Sequence, residues 1–403
     1  MRSRSLAARS LGLALTTVLL VLGCAGRGRL ELIPGKQAGP GLAELVDSEP
    51  ARRLLVDLLA RRSLHQHPTA TLVSGQDLDP AADLRRLPDQ AGLRGLAEEV
   101  SLDFAALAFA RALGADARSR TLQAAFDEYL REGAARSEEM LRQPGGFPYT
   151  VLFAPAWLYR SHPEVGADFG RQRQLLERLG IPHRLIPNPE SASVEDNAAA
   201  IAAAVRETGC AEGLLILVSI SKSGAEVALA LSRLLAPAEA ACVAGWLNTG
   251  GALGGTPLAD AALRPPASWL TNLVLWFNGW NRAGLLSMAT GPSRERLEGA
   301  RLPDSVAVVN LVAVPVSGTV GSRLYGSYQI LRRYGPNDGV VLLAHTVWPG
   351  GANLVALGSD HLFTALQEDA PALALLRAVD TAVRRHGAWP VPAGVTVTIG
   401  PAE

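Results

Sequence analysis

Lysine is nearly missing from this chain: Lys36 and Lys222 are the only two in 403 residues. The other basic side chains are arginine, as a GC-rich coding sequence produces. A surplus of either charge is missing as well. Lys+Arg and Asp+Glu both number 38, so the formal net charge is zero. Nucleic-acid and polyanion binding rely on a basic excess, so this balance argues against either as the main activity. Cysteine is scarce, with three in all. Cys210 and Cys242 fall just before, or at the start of, two successive apolar strand patterns, which a parallel sheet would bring to one end. Two buried free thiols are the expected state there, although an exported location would permit a disulfide. A metal site lacks its ligands too. His65 and His67 stand at i and i+2 in the loop-like "SLHQHPTA", with no adjacent Cys, Asp or third His. Neither an internal repeat nor a low-complexity tract is present.

The N-terminus carries an export pattern. Arg2 and Arg4 precede an apolar run from Leu11 to Leu22, followed by Gly23-Cys24-Ala25-Gly26. A positive start, a short apolar middle and small residues at the cut describe a signal peptide, and the run is too short for a stable membrane span. The stretch "VLGC" resembles the lipobox of bacterial lipoproteins. That resemblance implies that Cys24 is acylated and becomes the mature N-terminus, holding the protein on a membrane through several acyl chains. Ala25 carries no inner-membrane retention signal of the Asp type, which by the same resemblance favours the outer membrane in a Gram-negative host. Residues 1–23 are thus read as signal peptide and 24–40, polar with Gly and Pro, as a tether.

Two rhythms follow. Residues 41–145 show apolar recurrence at three and four, as in "LRGLAEEVSLDFAALAFARALGA", and read as a helical region without visible chemistry. Pro144-Gly145-Gly146 marks a boundary. From 146 to 403, apolar strand runs alternate with helical patterns: Thr150–Ala156, His183–Pro187, Leu214–Ser221, Ala241–Asn248, Val306–Val316 and Asn353–Gly358. Short strands that are apolar on both faces, spaced by helices, predict an α/β fold with a mostly parallel sheet covered on both sides.

The third strand runs straight into a turn with three serines, Ser219-Ile220-Ser221-Lys222-Ser223-Gly224, and then a helix. In an open parallel sheet, function gathers at the carboxyl ends of the strands. The turn resembles the nucleophile elbow of the α/β-hydrolase family, small-x-Ser-x-small, with Ser221 in the middle and serine where glycine is commoner on either side. "SISK" also fits the Ser-x-x-Lys of penicillin-binding enzymes. That chemistry needs a second lysine in a Lys-Thr-Gly strand, and Lys36 in the tether cannot supply it.

A serine nucleophile needs a histidine to take its proton and a carboxylate to hold that histidine. Both follow in the hydrolase order. "YGPNDGV" puts Asp338 in an Asn-Asp-Gly turn, and "ALGSDHLF" ends the last strand with His361; both resemble the acid and histidine loops of lipase-like α/β-hydrolases. His345 and His386 are the other histidines after Ser221, one before the last strand and one at the final helix. Asp360 competes as the acid, but a residue next to His361 cannot easily reach its Nδ1, so Asp338 is preferred. The resemblance implies an oxyanion hole from the backbone N–H of Lys222, whose side chain is then incidental. Its second donor is the N–H of Trp157, in Pro155-Ala156-Trp157 where lipases carry His-Gly-x.

An insertion of about 249–305 includes "WLTNLVLWFNGWN", with Trp269, Trp276 and Trp280. Two readings stay open: a packed core helix, or a lid or acyl-pocket wall over Ser221. The hydrolase resemblance spans Phe147 to Glu403. It implies a lipid-anchored carboxylic ester hydrolase of the envelope, acting on small-molecule or lipid esters through an acyl-enzyme without metal or organic cofactor. The fold hosts lipases, esterases, thioesterases and amidases alike. The rival class is a non-catalytic envelope lipoprotein that uses the scaffold as a binding module.

Overall fold

The computed structural model describes residues 41–66, 87–210 and 213–388. The apolar run, Cys24, the tether and His67 lie outside the described residues. No helix among those described is long and apolar enough to cross a membrane.

Among the described residues, six strands form one sheet: β1 (Tyr149–Ala154), β2 (His183–Leu185), β3 (Leu214–Ile220), β4 (Val243–Thr249), β5 (Ala307–Val314) and β6 (Ala352–Leu357). Their order is β2-β1-β3-β4-β5-β6, and every pairing is parallel. Alternation along β3 explains why the strands read as unbroken apolar runs. Leu215 and Leu217 face one core with Ile201, Val205, Val227 and Trp246. Ile216 and Val218 face the other, with Phe153, Leu375 and Val379. Both faces of the strand are therefore dry from Leu215 to Val218, and Ser219 is the first polar residue along it.

The N-terminal helices pack on the sheet as well, partly in clusters of their own. The helix Glu49–Gln66 contains His65, in a stretch that reads as a loop in the sequence. Leu93 and Phe109, from the helices Gln90–Glu99 and Leu102–Leu113, pack on Val312, Val314 and Val355 of β5 and β6. Leu122, Phe126 and Leu141 of Ala117–Arg142 join the core around Phe153. β6 is the edge of the sheet, and these helices occupy its open backbone. The Asn353 N–H donates to Ser119 Oγ at 2.9 Å, and the Val355 N–H donates to Gln123 Oε1 at 2.8 Å. Arg62 donates to the Val355 carbonyl at 2.7 Å. An edge so covered cannot recruit a foreign strand.

The cysteines differ from the free thiols expected of them. Cys210 and Cys242 form a disulfide with Cα atoms 5.1 Å apart. Both precede their strands at the amino end of the adjacent pair β3 and β4, and the Leu215 N–H bonds the Cys242 carbonyl at 2.8 Å. Neighbouring parallel strands that start level bring such residues within bridging reach.

Candidate active site

Ser221 sits between β3 and the helix Lys222–Leu229 with φ 58° and ψ −124°, a conformation rarely adopted by a residue with a side chain. Its N–H donates to the Thr249 carbonyl at 3.1 Å, and its carbonyl accepts from the Ala252 N–H at 2.9 Å. Strand and helix nearly touch here. A Cβ on Gly224 would stand 2.6 Å from the Gly251 Cα, so only glycine fits.

The flanking serines have work that glycine could not do. Ser219 Oγ accepts the indole N–H of Trp246 at 2.8 Å. Ser223 Oγ donates to the Ala154 carbonyl at 2.7 Å and accepts the Ile220 N–H at 2.9 Å. That second pair of bonds ties the end of β1 to the turn after β3. Both serines are wholly buried.

The Lys222 side chain is not incidental, which corrects the sequence reading. It is buried beneath the turn in an ion pair with Glu226, one helical turn on. Asn197 Nδ2 donates to Glu226 Oε1 at 2.9 Å and Asn188 Nδ2 to Oε2 at 3.3 Å. Burial pushes the Glu226 carboxyl up, opposed by the Lys222 charge and by these hydrogen bonds. Sequence reasoning missed Glu226, Asn188 and Asn197. A lone Lys with Glu four residues on, at the start of a helix, was the available signal.

Asp338 and His361 come from two loops that meet. The His361 Nδ1 donates to Asp338 Oδ2 at 2.7 Å, and the His361 N–H donates to the Asp338 carbonyl at 2.9 Å. The other carboxylate oxygen of Asp338 accepts the N–H groups of Val340 and Val341 at 2.9 and 2.7 Å. This is the Asn-Asp-Gly turn folding back on its own aspartate. Asp360 points elsewhere: it accepts from Gly321 N–H at 2.9 Å and Leu362 N–H at 3.1 Å. For His361, burial opposes protonation. The charge and hydrogen bond of Asp338, helped by the Asp360 charge, outweigh it and raise the pKa above the ordinary 6.5. The His361 Nε2 is buried and has no partner among the described residues.

Gly250 links this pair to the serine turn. A Cβ there would lie 2.8 Å from the Phe363 ring and 3.6 Å from His361 Nδ1, and its φ is 51°. The residue after the carbonyl that holds Ser221 must therefore be glycine for the histidine loop to close over it. His345 is a buried histidine elsewhere, its Nδ1 3.3 Å from the Gly255 carbonyl and its pKa pushed down to about 4 by burial. His386 meets the Asp304 carbonyl at 2.7 Å.

Trp157 follows β1. Among the described residues, neither its amide nor that of Lys222 is taken by another group. The next residue, Leu158, has φ 58°. Strain of this kind collects where function fixes geometry. The four non-glycine residues with positive φ among those described are Leu158, Phe169, Ser221 and Phe363, and three of them border the site.

The tryptophans divide. The insertion folds into helices that include Pro257–Leu263, Ala267–Asn278 and Thr290–Leu297. Ala267–Asn278 turns Ser268, Thr271, Val274 and Leu275 inward and leaves Trp269 and Trp276 74% and 77% exposed. These two do not pack a core. Trp280 is half-buried, its ring centroid 6.5 Å from that of Trp157.

No family model and no curated protein matches the chain. Several solved structures are similar to it. A metagenomic carboxyl esterase, MGS0156, is 23% identical, with 59% of this chain and 76% of that one covered at a TM-score of 0.47. The mature lipase BlEst2 of Bacillus licheniformis is 23% identical, with 54% and 86% covered and a TM-score of 0.44. Lipase 1 of Pelosinus fermentans is 14% identical, with 59% and 99% covered and a TM-score of 0.41.

Proposed function

We propose that this chain is an exported, lipid-anchored serine hydrolase that cleaves carboxylic esters through an acyl-enzyme. The observation that carries the reading is the buried imidazole of His361. One nitrogen is held by Asp338 at 2.7 Å, the other is unpartnered, and the ring lies against Gly250, which follows the carbonyl that accepts the Ser221 N–H. In this reading His361 Nε2 takes the hydroxyl proton as Ser221 Oγ attacks the ester carbonyl. Asp338 fixes the tautomer that leaves Nε2 free and stabilises the imidazolium. The oxyanion that forms is met by the amides of Trp157 and Lys222. Ser223 and the Lys222–Glu226 pair hold those two amides in register. His361 then returns the proton to the leaving alkoxide, and water repeats the sequence on the acyl-enzyme.

Export and anchoring rest on the N-terminal pattern that ends in Cys24 and are supported by the disulfide, which belongs to an oxidising compartment. Nitrophenyl ester hydrolysis tests the chemistry. Ser221→Ala should lose about four or more orders of magnitude in kcat at unchanged melting temperature, and retained turnover would place the nucleophile elsewhere. Cys24→Ser should release the protein from membranes and abolish palmitate incorporation. A variant that still sediments with membranes, its N-terminus uncut, would make Leu11–Leu22 an anchor.

A further inference from the structure

The short loop after β2 reaches both halves of the proposed oxyanion hole. Asn188 Nδ2 donates to Glu226 Oε2 at 3.3 Å, on the carboxylate that pairs with Lys222. The Asn188 carbonyl accepts the Tyr159 hydroxyl at 3.0 Å. Two residues on, Glu190 grips the turn that follows Trp157. Its backbone carbonyl accepts the Leu158 N–H at 3.1 Å. One oxygen of its carboxylate accepts the N–H groups of Arg160 and Ser161, at 3.0 and 2.8 Å. The other accepts the Ser161 hydroxyl at 2.6 Å. Bonds to an ionised acceptor are the stronger kind. The amide of Trp157 thus stands between two amides that are held: the Ala156 N–H donates to the Ala167 carbonyl at 3.1 Å, and the Leu158 N–H to Glu190. Leu158 keeps its φ of 58° within this clamp.

We propose that Glu190 is a positioning residue of the oxyanion hole, and that the segment Asn188–Glu190 aligns the Trp157 amide with that of Lys222. The inference rests on Ser221 as the nucleophile and on those two amides as the donors. Two N–H groups stabilise one oxyanion only where both come within about 2.7–3.1 Å of the same point. The Lys222 amide is the first of its helix and is set by it. The Trp157 amide belongs to neither helix nor strand, so its seat depends on what the following turn is tied to. Glu190 ties that turn to the loop that also holds the Lys222 side chain, through Asn188 and Glu226. A misplacement of about 1 Å at such a site costs on the order of 10²-fold in rate. Glu190 acts through Leu158, Arg160 and Ser161, and the oxyanion forms only in the transition state. Its loss therefore falls on kcat and spares KM.

The test uses the full chain and separates reach from charge. Glu190→Asp keeps the charge but draws the carboxylate back by one methylene. Its kcat for nitrophenyl acetate should fall at least about tenfold, with KM within about twofold of wild type. Glu190→Ala should show the same split. Glu190→Gln loses the charge but keeps the reach. Its amide oxygen can accept both N–H groups and its amino group can donate to Ser161, so kcat should stay within about threefold of wild type. A trifluoromethyl ketone reads the hole directly. Ser221 Oγ bonds to its carbonyl carbon, the serine proton passes to His361, and the carbonyl electron pair becomes the oxyanion. Its inhibition constant should weaken in Glu190→Asp by about the same factor as kcat, and that of the parent methyl ketone by less than about twofold. The reverse order, with Glu190→Gln impaired and Glu190→Asp intact, would overturn the proposal. So would an analogue affinity that both Glu190→Asp and Glu190→Ala leave unchanged, or equal losses for the two ketones, which mark general loosening. Failure of the nucleophile and oxyanion reading looks different: the trifluoromethyl ketone would then bind wild type no tighter than the methyl ketone.

Discussion

Replacing Glu226 by glutamine keeps the shape of the side chain and removes one charge of a pair that water cannot reach. Lys222 and Glu226 are each 1% exposed, and Asn197 and Asn188 are the other donors on the carboxylate, at 2.9 and 3.3 Å. Glutamine has one acceptor oxygen where the carboxylate has two, so it keeps the hydrogen bond from only one asparagine and takes the counter-charge from the ammonium. Breaking one partner of a buried pair costs about 3–5 kcal/mol, because the remaining charge stays desolvated. In a chain of this length that corresponds to a fall in melting temperature of about 4–6 °C. Lys222 also supplies a backbone amide to the proposed oxyanion hole, so kcat should fall with stability. The double variant Lys222→Met/Glu226→Leu removes both charges but leaves the Asn188 and Asn197 amides unpaired, so it should recover only part of the melting temperature. Thermal melts of the three proteins decide the matter. If Glu226→Gln melts within about 1 °C of wild type, the pair is not the buried electrostatic unit described here, and its role in seating the turn falls with it.

Asp338→Asn should cost kcat about 10⁴-fold, because asparagine holds the wrong imidazole tautomer. Asp360→Asn should cost far less, since its carboxylate serves the amides of Gly321 and Leu362; steady-state rates that reverse the two would reassign the acid. The raised His361 pKa sets the acid limb of activity. His361 must be neutral to accept a proton, so kcat/KM should fall as pH drops through a midpoint above 6.5, and a midpoint below that value contradicts the electrostatics. The Cys210–Cys242 bridge closes a sequence separation of 32 residues, and its reduction should cost about 3–4 kcal/mol in the chain-entropy estimate. Thiol titration of unfolded, unreduced protein should find both cysteines blocked.

Most of the strands were legible because they are buried on both faces, which leaves a run of apolar residues whichever way it is paired; β2, at the sheet edge, is short and part-exposed. All six apolar runs expected of strands are strands, with ends shifted by a few residues. The serine turn was legible for a different reason: a turn that must be small on both sides and lift one hydroxyl leaves few residue choices. Local pattern could not say which way an apolar stripe faces. Trp269, Leu270, Leu273, Trp276 and Phe277 recur at helical spacing, and that spacing suits a core stripe, yet all five are exposed. Nor could it find partners far along the chain. Ser119 and Gln123 meet β6 only because the fold carries them there, more than 200 residues away in sequence. The disulfide was missed for the same reason, since two cysteines at strand starts become a bridge only when their strands are adjacent and level. Asn188 and Asn197 gave no signal at all before Glu226 was seen between them.

Fluorophosphonate labelling followed by peptide mapping puts the central claim to the most direct trial. A single adduct should form on Ser221, at a rate that falls when His361 is replaced by alanine, and no adduct should form on Ser219 or Ser223, whose hydroxyls are buried in hydrogen bonds. An unlabelled, folded protein, or an adduct mapped to any other serine, would contradict the account.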